Sequence, residues 1–163
     1  MIDLSKLSAP DLHYQANKLL SDYVECIDDD RLEEWPDLFV DDCVYQVISR
    51  ENADRNLPTS AIYCDSRGML VDRIVALRHA NIYARHYYRH VLSNVNVKGV
   101  DGGEVVVHSN YVVMQTLVEG DTHVFNAGKY LDRMVATPEG LRFKRKVVVF
   151  DTYRIPNLLV TPL

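Results

Sequence analysis

A chain of 163 residues has room for one domain, read here as residues 1–163, with a core that buries about 70% of the unfolded surface. Its 47% apolar and 25% charged residues match a globular protein, and a net charge of −5 leaves no basic footprint for nucleic acid. No run approaches the roughly 20 apolar residues of a membrane-spanning helix, so no membrane contact is expected.

The start MIDLSKLSAPDLH lacks the basic and apolar regions of a secretory signal. Cys26, Cys43 and Cys64 are odd in number and without CxxC spacing, which predicts reduced thiols in a cytoplasmic protein. In chain order, Ser8 caps a first helix, with Pro10 in its first turn and Asp11 completing a capping box. Leu12, Ala16, Leu19, Leu20, Tyr23 and Ile27 follow at helical spacing as one apolar stripe. The acidic run Asp28, Asp29 and Asp30 ends that helix. A second, short one is predicted over Arg31–Phe39, interrupted by Pro36, and then a strand over Cys43–Ile48.

The polar segment Ser49–Thr59 reads as a mobile loop. A third helix is predicted over about Ser66–Arg78, with Met69 or Leu70, Ile74 and Leu77 inward. Four strands follow, Arg89–Lys98, Glu104–Val118, Thr122–Ala136 and Leu141–Thr152, with glycine-bearing turns between them. Arg142, Lys144, Arg145 and Lys146, interleaved with Leu141, Phe143 and Val147, read as one solvated face of the last strand. Strands this long must curve, so the pattern gives an α+β domain with helices on one face of a bent sheet.

Five stretches stand together in order: DLF-x-DD-x-x-Y (Asp37–Tyr45), ML-x-DRI-x-AL (Met69–Leu77), RH-x-LSN (Arg89–Asn94), F-x-AG-x-YLD (Phe125–Asp132), and a last strand ending in Asp151. In these the chain resembles, over nearly its whole length, the small (β) subunit of bacterial aromatic-ring-hydroxylating oxygenases of the Rieske non-haem iron type. The resemblance implies the nuclear transport factor 2-like (cystatin-like) cone, with three N-terminal helices packed on a strongly curved, mostly antiparallel sheet. It also implies a non-catalytic structural subunit of an oxidoreductase, with no cofactor of its own. In that family a large α subunit carries the Rieske [2Fe–2S] cluster and a mononuclear Fe(II). The assembly is usually α3β3, with like β subunits as neighbours and a reductase or ferredoxin acting on α. The Met69–Asn94 pattern looks most similar to the branch acting on aromatic acids such as salicylate, terephthalate or anthranilate.

The residues themselves agree with a chain that holds no metal. None of the six histidines stands near a cysteine in the C-x-H and C-x-x-H spacing of a Rieske centre. His86 and His90 are four apart, but the segment leads into a strand, where that spacing does not build a facial triad. Neither a GxSxG elbow nor a glycine-rich phosphate loop is present. No catalytic, cofactor-binding or metal residue is therefore assigned.

One alternative is a stand-alone isomerase or dehydratase whose acid–base set is drawn from Asp30, Tyr45, His90, His108 and Asn110 converging on the open end of the cone. Another is a non-enzymatic ligand-binding cone. The weight lies against the dyad, because polar groups scattered along an apolar face are more often satisfied core residues. For subunit contacts the candidates are Arg78, Tyr83, Arg85, Tyr87, Tyr88 and Arg89, since arginine beside tyrosine suits interfaces. The apolar tail adds Ile155, Leu158, Leu159 and Leu163, which must dock either on this chain or on a neighbour.

Overall fold

The structure is a computed structural model and describes residues 7–152, 155 and 159–163. Helix α1 (Ala9–Asp28) begins as its cap predicts, with the Ser8 side chain accepting from the Asp11 N–H and the Asp11 carboxylate accepting from the Ser8 N–H. Leu12, Ala16, Leu19, Leu20, Tyr23 and Ile27 form its buried stripe, joined by Cys26. Asp30 takes a positive φ of 57° and turns the chain away.

Where a second helix over Arg31–Phe39 is expected, the chain makes turns and one 3-10 turn at Trp35–Leu38, because Pro36 cannot donate to a longer helix. Strand β1 (Phe39–Ser49) consequently starts earlier than expected. The presumed loop carries a short helix, α2 (Arg50–Asp54), capped by the Ser49 hydroxyl and tied down by Asn52 Nδ2 donating to the Thr59 carbonyl at 2.9 Å. A small strand, β2 (Ile62–Cys64), precedes α3 (Arg67–His79), which buries Leu70, Ile74 and Leu77 and leaves Met69 outside.

The meander then runs β3 (His86–Asp101), β4 (Glu104–Leu117), β5 (Thr122–Thr137) and β6 (Gly140–Phe150). At the β3–β4 hairpin Gly102 and Gly103 both take positive φ, as a tight turn matching strand twist requires. The six strands lie in the order β2-β1-β6-β5-β4-β3, antiparallel except for β1 alongside β6. Extra residues interrupt the ladders near Asn94, Phe125 and Lys144. Such bulges bend a strand and increase its twist, which wraps the long sheet around α1. A main core results, in which Trp35, Phe39, Tyr45, Tyr23 and Phe143 meet edge-on or tilted, and Ile48, Val147 and Val149 form a second, smaller cluster.

The bulge in β6 also corrects the reading of its basic residues. Arg133 pairs with Arg145 but Met134 pairs with Phe143, so Lys144 is the extra residue and the alternation shifts by one. Lys144 and Arg145 face out, while Lys146 points in and is fully buried.

Candidate functional site

The concave side of the sheet is unusually polar for a core. At its centre the Lys146 ammonium lies 3.3 Å from both oxygens of Asp132, with both side chains out of water. Tyr130 and Tyr23 present ring faces to the same ammonium at 3.5 and 4.3 Å. Burial pushes Asp132 up and Lys146 down, against the attraction of each for the other. Desolvation prevails because water is excluded from both groups, so this pair is a structural element under tension. Beside it Tyr111 stacks on Tyr130 at 4.4 Å and donates to Asn126 Oδ1.

Nearer the mouth, the last residue of α1 meets β3. Asp28 Oδ2 accepts the His90 backbone N–H at 2.8 Å, and Oδ1 lies 2.6 Å from His90 Nδ1. The His90 side chain is fully buried and its Nε2 has no protein partner. Asp28 was not in the alternative acid–base set of Asp30, Tyr45, His90, His108 and Asn110, of which His90 lies inside. Asp30 instead accepts from Arg78 Nη1 at 2.9 and 3.0 Å, a carboxylate spent on the surface. A signal for Asp28 existed, since it follows half-buried Val24 by four residues on the edge of the α1 stripe.

His108 and Asn110 do not join this group. On β4 it is Val105, Val107, Ser109, Tyr111 and Val113 that point inward, so the residues between them face solvent. Tyr45 does lie inside, with burial pushing its hydroxyl up to about 12, but its partner is the chain itself. The Leu163 N–H donates to Tyr45 Oη at 3.0 Å, and Tyr23 Oη donates to the Leu163 carbonyl at 2.5 Å. From α3, Arg73 Nη2 donates to the Leu159 carbonyl at 3.1 Å. Residues Leu159–Leu163 thus form a strap held inside the cone.

The expected interface residues separate into two groups. Tyr88 is 4% exposed and Leu163 fully buried, so both belong to this chain's own core, and Ile155 and Leu159 pack against that core. Leu158 lies outside the described residues. Arg78 is held at home by Asp30 and by Glu33, whose carboxylate accepts from Nε at 2.8 Å. Tyr83, Arg85, Tyr87 and Arg89 stay exposed at one edge, where Arg85 sits over the Tyr87 ring at 5.9 Å and Arg89 pairs loosely with Asp29 at 3.5 Å.

Among the described residues, no three His, Cys, Asp or Glu side chains gather as a metal set. Cys26, Cys43 and Cys64 are buried free thiols, and no set of three metal-ligating side chains forms around them among the described residues. No helix among them is long and apolar enough to cross a membrane.

Residues 23–157 match the family model for the ring hydroxylating beta subunit. The chain is 46% identical to the anthranilate 1,2-dioxygenase small subunit of Burkholderia cepacia over 150 residues, which cover 92% of this chain and 93% of that one. It is 37% identical to subunit beta 2 of the terminal oxygenase component of terephthalate 1,2-dioxygenase from Comamonas sp, with 86% and 92% covered. A crystal structure of the beta subunit of a putative aromatic-ring-hydroxylating dioxygenase from Novosphingobium aromaticivorans superposes with a TM-score of 0.84 at 48% identity, covering 93% of this chain and 96% of that one.

Proposed function

Because the chain belongs to the ring hydroxylating beta subunit family, we propose that it is the structural small subunit of a terminal oxygenase acting on an aromatic carboxylic acid. Its work is assembly. The iron-bearing α subunit performs the chemistry, holding a Rieske cluster and a mononuclear iron supplied with electrons by a reductase or ferredoxin. The whole chain acts as a single cone domain in a cytoplasmic α3β3 complex.

One observation carries the structural role. The cone interior, where a cone-fold enzyme would need space for substrate, is filled by the chain's own residues Leu159–Leu163. The exposed edge set Tyr83, Arg85, Tyr87 and Arg89 is the surface proposed to meet neighbouring subunits, since aromatic and arginine side chains dominate such contacts.

Co-expression with the α subunit tests both parts. A complex with the mass of three αβ pairs should form and should consume oxygen with anthranilate- or terephthalate-type acids, whereas the β chain alone should not turn these over. Arg89→Ala and Tyr87→Ala should each raise the dissociation constant of the complex at least tenfold. An α subunit that assembles and turns over equally well without this chain overturns the reading.

A further inference from the structure

The convex side of the sheet, away from the cone, carries a cavity of about 490 Å³ between α2 and the strands. Its floor is apolar. Ile48 of β1 with Val147 and Val149 of β6 form the smaller buried cluster, and Leu131 of β5 and Ala53 of α2 pack against it. The segment that roofs the cavity is tied down on both sides. Asn52 Nδ2 donates to the Thr59 carbonyl at 2.9 Å, and Gln46 Nε2 donates to Ser60 Oγ at 2.8 Å. The volume lies in the range of small-molecule sites.

The walls decide which charge the cavity takes. Arg133 and Arg145 are direct cross-strand partners, and both border it. Like charges in that position repel, and the fold compensates only one of them. Arg133 donates through Nε to Glu104 and through Nη2 to Asp101 Oδ2 at 2.9 Å. Arg145 is exposed and has no acidic partner among the described residues. Asp132 borders the cavity too, but its carboxylate lies on the other side of the sheet, 3.3 Å from the Lys146 ammonium. His108, the cross-strand partner of Leu131, stands in the same positive surroundings: burial first, then the charges of Lys98 and Lys129, push its pKa down. An apolar floor with one uncompensated guanidinium at its rim fits an apolar body that ends in a single carboxylate. A second carboxylate would find no counter-charge, since Arg133 is already paired.

We propose that the convex-face cavity between α2 and strands β1, β6 and β5 binds a small apolar monocarboxylate, with its carboxylate on Arg145 and its body on Ile48, Leu131, Val147 and Val149. The site lies on the face of the sheet opposite the strap, which leaves it open in the folded chain. It does not depend on what the α subunit oxidises. The basic run of the last strand divides accordingly. Lys146 holds Asp132 inside, Lys144 pairs with Asp42, and Arg145 is left for the ligand.

The test titrates the full chain with benzoate, using calorimetry together with the backbone amide shifts of a labelled sample. Benzoate should bind with a dissociation constant below about 1 mM and move the amides of Asn52, Ala53 and Val147. Benzamide, its neutral isostere, should bind about tenfold more weakly. Arg145→Gln should weaken benzoate about tenfold and leave benzamide within about twofold. Arg142→Gln, on the same strand but outside the cavity, should change neither. Absence of benzoate binding, equal affinity for benzamide, shifts confined to other parts of the chain, or equal effects of the two arginine changes each overturn the proposal. Loss of binding once the chain is assembled with its α subunit also overturns it, because the face would then be a subunit contact. The comparison of benzoate with benzamide on the unaltered chain decides the matter even if a variant does not fold.

Discussion

Asp28 grips His90 at two points, the backbone N–H at 2.8 Å and Nδ1 at 2.6 Å, and so fastens the end of α1 to β3 across 62 positions of sequence. With the imidazole fully buried and the carboxylate nearly so, neither group has water to fall back on. Asp28→Ala should therefore destabilise the chain by roughly 2–4 kcal/mol in urea unfolding, whereas Asp28→Asn, which keeps one acceptor for the backbone N–H, should lose less. Equal losses would contradict this, showing that a neutral acceptor recovers nothing and that the carboxylate charge carries the whole contribution.

The Lys146–Asp132 pair leads to an opposite pattern for single and double changes. Lys146→Met alone strands a carboxylate beneath Tyr130, and Asp132→Leu alone strands an ammonium, each expected to cost about 3–5 kcal/mol. The double variant removes both charges and keeps the volume, so it should recover most of that loss. A strictly additive double variant would contradict a pair that acts as one unit.

Gly128 is where β5 and β6 approach too closely for any side chain. A Cβ there would stand 2.0 Å from the Val149 carbonyl oxygen, a backbone atom that cannot swing away. Gly128→Ala should break the β5–β6 ladder near Phe150 and lower the melting temperature by more than 10 °C, if the protein stays soluble at all. A variant melting within 2 °C of the unaltered chain would contradict that packing.

Alkaline pH should weaken the fold. Burial pushes the Cys26 and Cys43 thiols up to about 11 and also raises Cys64, Tyr23 and Tyr45. Unfolded, these groups release protons at lower pH than when folded. The stability they give is complete below about pH 9 and declines as pH rises toward 11. Lys146, pushed down by burial, acts in the opposite sense, so the Lys146→Met/Asp132→Leu double variant should decline more steeply. Melting curves between pH 8 and 10.5 check both slopes, and the three thiols should resist alkylation at pH 8 until the chain unfolds.

The α1 cap and stripe, the third helix and the long meander were legible because each rests on local rules: a capping box, a 3.6-residue period, alternation and glycine turns. The order of motifs was enough to point to the ring-hydroxylating β-subunit family. α2 stayed hidden because its helix is held by Ser49 and by the distant Thr59 carbonyl, not by any periodicity of its own. Of the candidate acid–base set, His90 and Tyr45 lie inside, but Asp28, which holds His90, was not among the candidates.

What the sequence by itself determined is therefore α1, α3 and the long strands, the α+β cone fold and the family, since these follow from patterns read over ten or twenty residues. The tertiary structure alone decided which polar groups meet. Lys146 went inside because one extra residue at Lys144 shifts the strand register, and register is set by pairing with β5. His108 went outside for the same kind of reason, the phase of β4 against its neighbours. Leu163 closed on Tyr23 and Tyr45 because folding brings together residues 140 and 118 positions apart, a juxtaposition that no local spacing encodes.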